Sequence, residues 1–170
     1  MILGMSTATF TLLHVLISLA GIGSGFVVLY GLLTGKRLDG WTAVFLTTTA
    51  LTSISGFGFP FDHLLPSHKI GILSLLVLAA VIPARYVFHM ERSWRLVYVI
   101  GSALALYFNT FVLVVQSFMK VPALKALAPT QQEPPFLVAQ LVVLIAFIVL
   151  TTLAVRKFHL GTAHAAASGA

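Results

Sequence analysis

Cysteine is absent from the chain. That excludes disulfides, thiol catalysis, thiolate metal sites and covalent c-type haem attachment. Charge is scarce as well: Asp, Glu, Lys and Arg make up 8% of the 170 residues, and only four of these are acidic. A water-facing shell needs about a quarter of its residues charged, so an ordinary soluble domain is excluded. No Asp or Glu lies deep in an apolar run, which disfavours a proton-driven exporter. The sequence contains no G-x-S-x-G, no H-E-x-x-H and no Walker A loop. Glu133 and Asp62 stand in different loops and give no acid–base pair. The reading leans away from an enzyme.

What is present is apolar. Hydrophobic residues are 59% of the chain, and the mean hydropathy is +1.04. Five stretches carry little or no charge: 8–33, 41–61, 70–90, 96–119 and 134–155. A hydrocarbon core about 30 Å thick takes roughly 20 apolar residues in a helix. Backbone groups in lipid must be satisfied internally, so spans are helices or closed barrels. These runs are too long and too evenly apolar for barrel strands. The fold class is therefore all-α: an integral membrane bundle of five transmembrane helices, forming one domain over 1–160, with a featureless, disordered tail at 161–170. The third run is the weakest, because Arg85 follows Ala84; it reaches Met90 if Arg85 snorkels to the interface. A re-entrant third segment is the alternative. The first run has no preceding cation, since the first is Lys36, and so reads as a span rather than a cleaved signal peptide. Met1 and Met5 are both open as the start.

Ten Lys/Arg against four Asp/Glu give a net charge of +6. In so apolar a chain this excess reads as topology and not as nucleic-acid binding. Lys36, Arg37, Arg85, Arg92, Arg95, Arg156 and Lys157 fall on one side of the five spans, and Lys69, Lys120 and Lys125 on the other. The positive-inside rule then puts the N-terminus outside and the C-terminus inside. Trp41, Tyr86 and Trp94 sit near inner span ends, as interfacial aromatics do. Gly35, Asp39 and Gly40 supply turn chemistry between the first two spans. Ser67 is the expected N-cap of the third helix. Residues 123–128, between Pro122 and Pro129, are expected to form a short surface helix. Pro134 and Pro135 fit a first helical turn, with Glu133 complementing its positive end.

The informative residues are those that lipid rejects. His14, Ser18, Gly21 and Gly25 form one stripe on the first helix; Thr48, Thr52 and Ser55 do so on the second; His68, Gly71 and Ser74 share a face of the third. Ser102, Asn109 and Gln116 recur every seven residues on the fourth, and Gln140 is the strong polar group of the fifth. The bland reading is helix packing: small residues let backbones approach, and hydroxyls and amides bond between helices. The sharper reading makes Asn109, Gln116 and Gln140 the lining of a ligand pocket, since amides also face cavities and quinone-like head groups.

Under the assigned topology His14, His63 and His68 belong to the outer side. His14 and His68, on separate helices, are the candidate axial ligands of a b-type haem, with Gly21 and Gly71 leaving room for a flat macrocycle. A zinc or copper site from His14, Asp62, His63 and His68 is a weaker alternative; no metal site is assigned. His89, His159 and His164 lie toward the inner end and tail.

The segments Gly56-Phe57-Gly58-Phe59-Pro60-Phe61, Pro66-Ser67-His68-Lys69-Ile70-Gly71 and 121–136 carry a resemblance. Through them the chain resembles an uncharacterised family of small multi-span bacterial inner-membrane proteins. The resemblance covers most of the chain to about Lys157. It implies a bacterial multi-pass inner-membrane protein and supplies no activity. The expectation is an accessory or small-ligand-binding membrane subunit with its working face outside. The alternatives are a haem b protein held by His14 and His68, and a small channel along Thr48, Thr52, Ser55 and Asn109. The lipid bilayer is the first partner; a membrane complex or a homo-oligomer is the second. No cofactor beyond that haem is expected.

Overall fold

The structure is a computed structural model that describes residues 2, 4–60 and 66–167, with side chains for these except Pro66 and those from His159 onward. Phe61, Asp62 and His63 thus lie outside the described residues, as do the side chains of His159 and His164. The described chain is helical: α1 (Thr7–Leu33), α2 (Asp39–Gly56), α3 (Pro66–Tyr86), α4 (Trp94–Lys120), α5 (Pro122–Leu127) and α6 (Pro134–Ala167). Among the described residues there is no strand, only an isolated bridge between Ile2 and Met5.

Local chemistry sets the ends. The Ser6 hydroxyl accepts from the Thr9 N–H at 3.1 Å and caps α1. Gly35, at φ +70°, turns the chain after α1, and the Lys36 N–H closes on the Gly31 carbonyl at 2.8 Å. Asp39 occupies the first turn of α2, where a carboxylate suits the helix dipole. Gly40 lies within the helix and not in the turn. α3 starts at Pro66, so Ser67 falls inside its first turn and is not the N-cap. The helix covers 66–86, not 70–90: Pro83 lies within it, and His89, Met90 and Arg92 take left-handed conformations that end it. Extended Val121 precedes Pro122, as the residue before proline prefers. The six-residue α5 follows. Leu124 of this turn packs on the small cluster of Phe118, Ala128 and Phe136. α6 continues through residues 161–167, which composition alone assigns to the tail.

Among the described residues, four helices are long and apolar enough to cross a membrane: α1, α3, α4 and α6. α2 falls short of that measure, and not the third run as the sequence suggests. It ends at Gly56 instead of 61, and seven of its 18 residues are Ser or Thr. Several of those hydroxyls are absorbed internally. Thr48 bonds its own helix carbonyls, Thr42 bonds the Tyr98 hydroxyl at 3.1 Å, and Thr49 accepts from the Asn109 amide at 3.1 Å.

Contacts along the helices give their directions. His14 meets Ser55, Gly25 packs on Phe45 and Leu106, Gly101 packs on Val81, and the Gln140 side chain bonds the Phe111 carbonyl. Neighbours in sequence therefore run antiparallel. α1 and α2 share the largest interface, and α4 touches α1, α3, α5 and α6. The core holds Val28, Leu29, Leu32, Phe45, Leu46, Leu78, Val81, Val99, Leu106 and Phe158. Conversely, Leu137, Val138, Leu141, Val142, Ile145, Ile148 and Val149 of α6 are all exposed. A continuous apolar face of this kind is stable against lipid and not against water. The architecture is that of a membrane protein.

Arg85 departs from expectation. It does not snorkel outward. It is buried, pairs with the Asp39 carboxylate, donates to Met90 Sδ at 3.1 Å and lies 5.2 Å from the Tyr98 ring centre. The reason is local: Asp39 at the start of α2 and Tyr98 near the start of α4 flank the end of α3, and offer a charge partner and a ring face. Inside the bundle that partnership replaces the solvation snorkelling would have supplied.

Candidate functional site

A cavity of about 560 Å³ opens between α1, α2, α3 and α4. It lies where α1 and α3 begin and α2 and α4 end. His14, His68, Asn109 and Gln116 all line it. Four of the five candidate site residues therefore meet in one place, drawn from three helices. Gln140 does not join them: its side-chain amide donates to the Phe111 carbonyl at 3.3 Å, and its Oε1 has no hydrogen-bond partner among the described residues.

Each wall has a physical origin. On α1, Ser18 donates to the His14 carbonyl at 2.7 Å, so its side chain is satisfied within its own helix. His14 Nδ1 and Ser55 Oγ share a hydrogen bond of 2.8 Å, which orients the imidazole and leaves Nε2 as its other polar atom. The Phe59 ring stands edge-on to His14, with centroids 5.3 Å apart. On α3, His68 is buried and stacks on Phe57, also at 5.3 Å, with 21° between the planes. The Gly71 Cα lies close enough to Phe57 that an added Cβ would sit 3.4 Å from the ring. Gly71 thus admits the Phe57 ring as well as facing the cavity.

The small-residue stripe of α1 divides in two. A Cβ on Gly21 would lie 3.2 Å from the Thr48 hydroxyl, and one on Gly25 would lie 2.5 Å from Leu106 Cδ1. Both glycines serve packing within the bundle. His14 and Ser18 reach the cavity instead. On α4 the seven-residue row divides likewise. Asn109 is buried and bonded to Thr49, Gln116 lines the cavity, and Ser102 is buried outside it. Beyond the Thr49–Asn109 bond, the apolar core includes Phe45, Leu46 and Leu106.

Some lining residues escape sequence reading. Phe57 and Phe59 come from the run after α2, and Lys120 stands at the mouth. Lys120 had a detectable signal, because it follows Gln116 by four residues on the same helical face. The aromatics had none, since their positions depend on how the chain leaves α2. A second hollow, of about 450 Å³, lies in the α3–α4 loop against Phe88, His89 and Trp94, and holds none of the candidate site residues. Among the described residues no three of His, Cys, Asp and Glu come together as a metal site would need.

No protein-family model matches the chain, and no curated protein or solved structure does.

Proposed function

We propose that the chain is a five-span protein of the bacterial inner membrane, N-terminus outside, that holds a small lipid-soluble ligand in the cavity at its outer end. It acts there as a binding or accessory subunit and performs no catalysis of its own. The observation that carries this reading is the convergence of His14, His68, Asn109 and Gln116 on one cavity of ligand size. Supporting the topology, the seven inner-side cations and the three outer-side ones stand at opposite ends of the antiparallel helices. α2 serves as the fifth span. Its 18 residues cover about 27 Å at 1.5 Å each, and its Thr42, Thr48, Thr49 and Ser55 hydroxyls are hydrogen-bonded inside the bundle.

The test uses a variant that fills the cavity. Ser18 bonds only its own helix, so Ser18→Phe adds a ring to the cavity without removing a contact between helices. A ligand that binds only the folded state raises the melting temperature. Delipidated protein should therefore melt at a higher temperature once a lipid-soluble extract of the host membrane is added back, and Ser18→Phe should gain clearly less. Equal gains for both proteins would contradict the reading.

A second reading has one observation in its favour: the two imidazoles, His14 and His68, line the same cavity from separate helices. That is the arrangement an axially ligated b-type haem requires. An absorption spectrum of purified protein, before and after dithionite, decides it. A Soret band that sharpens on reduction and is lost in His14→Ala and His68→Ala supports haem. A colourless protein made with adequate haem supply rejects it.

A further inference from the structure

The mouth of the cavity carries charge of one sign. Lys120, the last residue of α4, stands there, and Gln116 lies one turn before it on the same face. No Asp or Glu is among the described lining residues. The Lys120 ammonium has no ion-pair partner among the described residues, and the half-buried Gln116 side chain has no hydrogen-bond partner there. His14, whose ring is held by Ser55, lies close enough to Lys120 for their charges to interact. Two groups that are positive when protonated thus line one cavity without an acidic neighbour among the described residues. Such a site attracts an anion.

The position of Lys120 makes an ionised occupant affordable. α4 has 27 residues and is about 40 Å long at 1.5 Å each, against about 30 Å for a hydrocarbon core. Its end therefore reaches the head-group zone, where an ionised head keeps contact with water and escapes the cost of deep burial. The fixed charge of the described lining at neutral pH is the single Lys120 ammonium. One positive charge balances a carboxylate, whereas a phosphate monoester carries about −1.5 to −2. A carboxylate also has two oxygens, one to accept from the Lys120 ammonium and one from the Gln116 amide. Inward from the mouth the walls turn apolar, with Val15, Leu19, Ile22, Val112 and Leu113. Leu113 lies about 10 Å inward from Lys120 along α4. Leu19 and Leu113 are also exposed on the outside of the bundle. The cavity thus reaches lipid between α1 and α4, where a hydrocarbon tail can leave.

We infer that the ligand is a long-chain fatty acid, its carboxylate held by Lys120 and Gln116 at the mouth and its single tail leaving between Leu19 and Leu113. This rests on the cavity reading proposed above and assigns binding only.

The test is equilibrium binding of tritiated palmitate to the full chain in detergent, with unlabelled palmitate and methyl palmitate as competitors. It is run on the natural protein and on Lys120→Met, Lys120→Arg and Ser18→Phe. The natural protein should bind one palmitate per chain. Methyl palmitate, the same tail without the charge, should compete roughly fivefold worse or more. Lys120→Met should weaken palmitate by roughly fivefold to tenfold, between the effect of an exposed ion pair and that of a charge-assisted hydrogen bond. Lys120→Arg should not, and methyl palmitate should bind all three proteins alike. Ser18→Phe should abolish binding of both compounds. Equal affinity of palmitate for the natural protein and Lys120→Met overturns the inference. So does equal competition by the methyl ester, and so does a loss in Lys120→Met that both compounds share, which would make Lys120 structural. With binding still abolished by Ser18→Phe, each of these outcomes leaves the cavity reading standing. Absence of saturable palmitate binding also overturns the inference. The cavity reading then stands if membrane extract stabilises the natural protein more than Ser18→Phe, and falls if it stabilises both alike.

Discussion

At the scale of single residues, Arg85 shows how a charge is kept inside an apolar bundle. Its side chain is 7% exposed and that of Asp39 is 78% exposed. The two halves of the pair are therefore unequal. Removing Asp39 leaves a buried guanidinium without a counter-charge, whereas removing Arg85 leaves a carboxylate that water can solvate. Asp39→Ala should cost about 1.5–3 kcal/mol, the range for a hydrogen bond to a charged group. Arg85→Met, which keeps most of the apolar volume, should cost less. Thermal unfolding in one detergent checks the order, and a reversed order would show that the arginine acts through packing on Tyr98 instead. Arg85 was legible as an anomaly because it interrupts an apolar run. Its partner was not, because 46 residues separate Arg85 from Asp39 and only the return of α2 beside α3 joins them.

Glu133 is a residue whose behaviour differs from its expected role. It lies just before α6, but its carboxylate accepts from the Thr130 N–H and hydroxyl and from the Gln132 N–H. Slight desolvation pushes its pKa up, and those hydrogen bonds outweigh this and hold the carboxyl below the ordinary 4.5. The ordering it gives is complete above the unfolded pKa and is lost as pH falls through the lower folded value. Hydrogen exchange at the Thr130 and Gln132 amides should stay slow to below pH 4.5. In Glu133→Gln it should be faster and should lack that pH step. A midpoint above 4.5 in the natural protein would contradict the assignment.

At the scale of helices, close approach decides which glycines matter. A Cβ on Gly25 would come within 2.9 Å of the Phe45 ring as well as meeting Leu106, while one on Gly23 would meet nothing within 4 Å. Gly101 faces Val81 more tightly still, and a β-branched neighbour is stiff about χ1. Gly25→Ala and Gly101→Ala should each lose about 1–3 kcal/mol through overpacking. Gly23→Ala should be neutral or slightly stabilising, since alanine has the better helix propensity. Melting temperatures check this, and equal effects at all three would mean that the helices stand further apart than described. The stripe from His14 to Gly25 was visible as a spacing pattern. Spacing alone gave no indication that its upper part lines a cavity and its lower part seals on α2, because both uses favour small or polar residues on one face.

At the scale of the whole molecule, the apolar runs made the helices legible, since runs of that length have few other stable forms. Their ends shifted where turn chemistry intervened, as at Gly56 and Pro66. The weak span was misplaced for a physical reason. Charge at Arg85 drew attention to the third run, while the hydroxyls of α2 lowered its hydropathy without introducing a charge. A crossing by α2, as proposed, has a direct consequence. With α2 as a fifth span the two chain ends lie on opposite sides of the membrane; with four spans they lie on the same side. A fluorescent protein fused after Ala170 should glow and alkaline phosphatase at the same position should be inactive, while phosphatase fused ahead of the first helix should be active. Two ends reporting the same side would remove α2 from the set of spans.

The four polar residues that converge were each visible in the sequence, and the assigned topology puts His14, His68, Asn109 and Gln116 together beneath the outer face; the cavity they share was not visible. It depends on α3 and α4 closing against the pair formed by α1 and α2, which no periodicity encodes. That convergence is the centre of the functional account. The most direct measurement is native mass spectrometry of the protein released from mild detergent. The account predicts the mass of the chain plus one small lipid-soluble molecule, with Ser18→Phe appearing as the bare chain. The same ladder of ordinary phospholipids on both proteins, with no single retained compound, would contradict it.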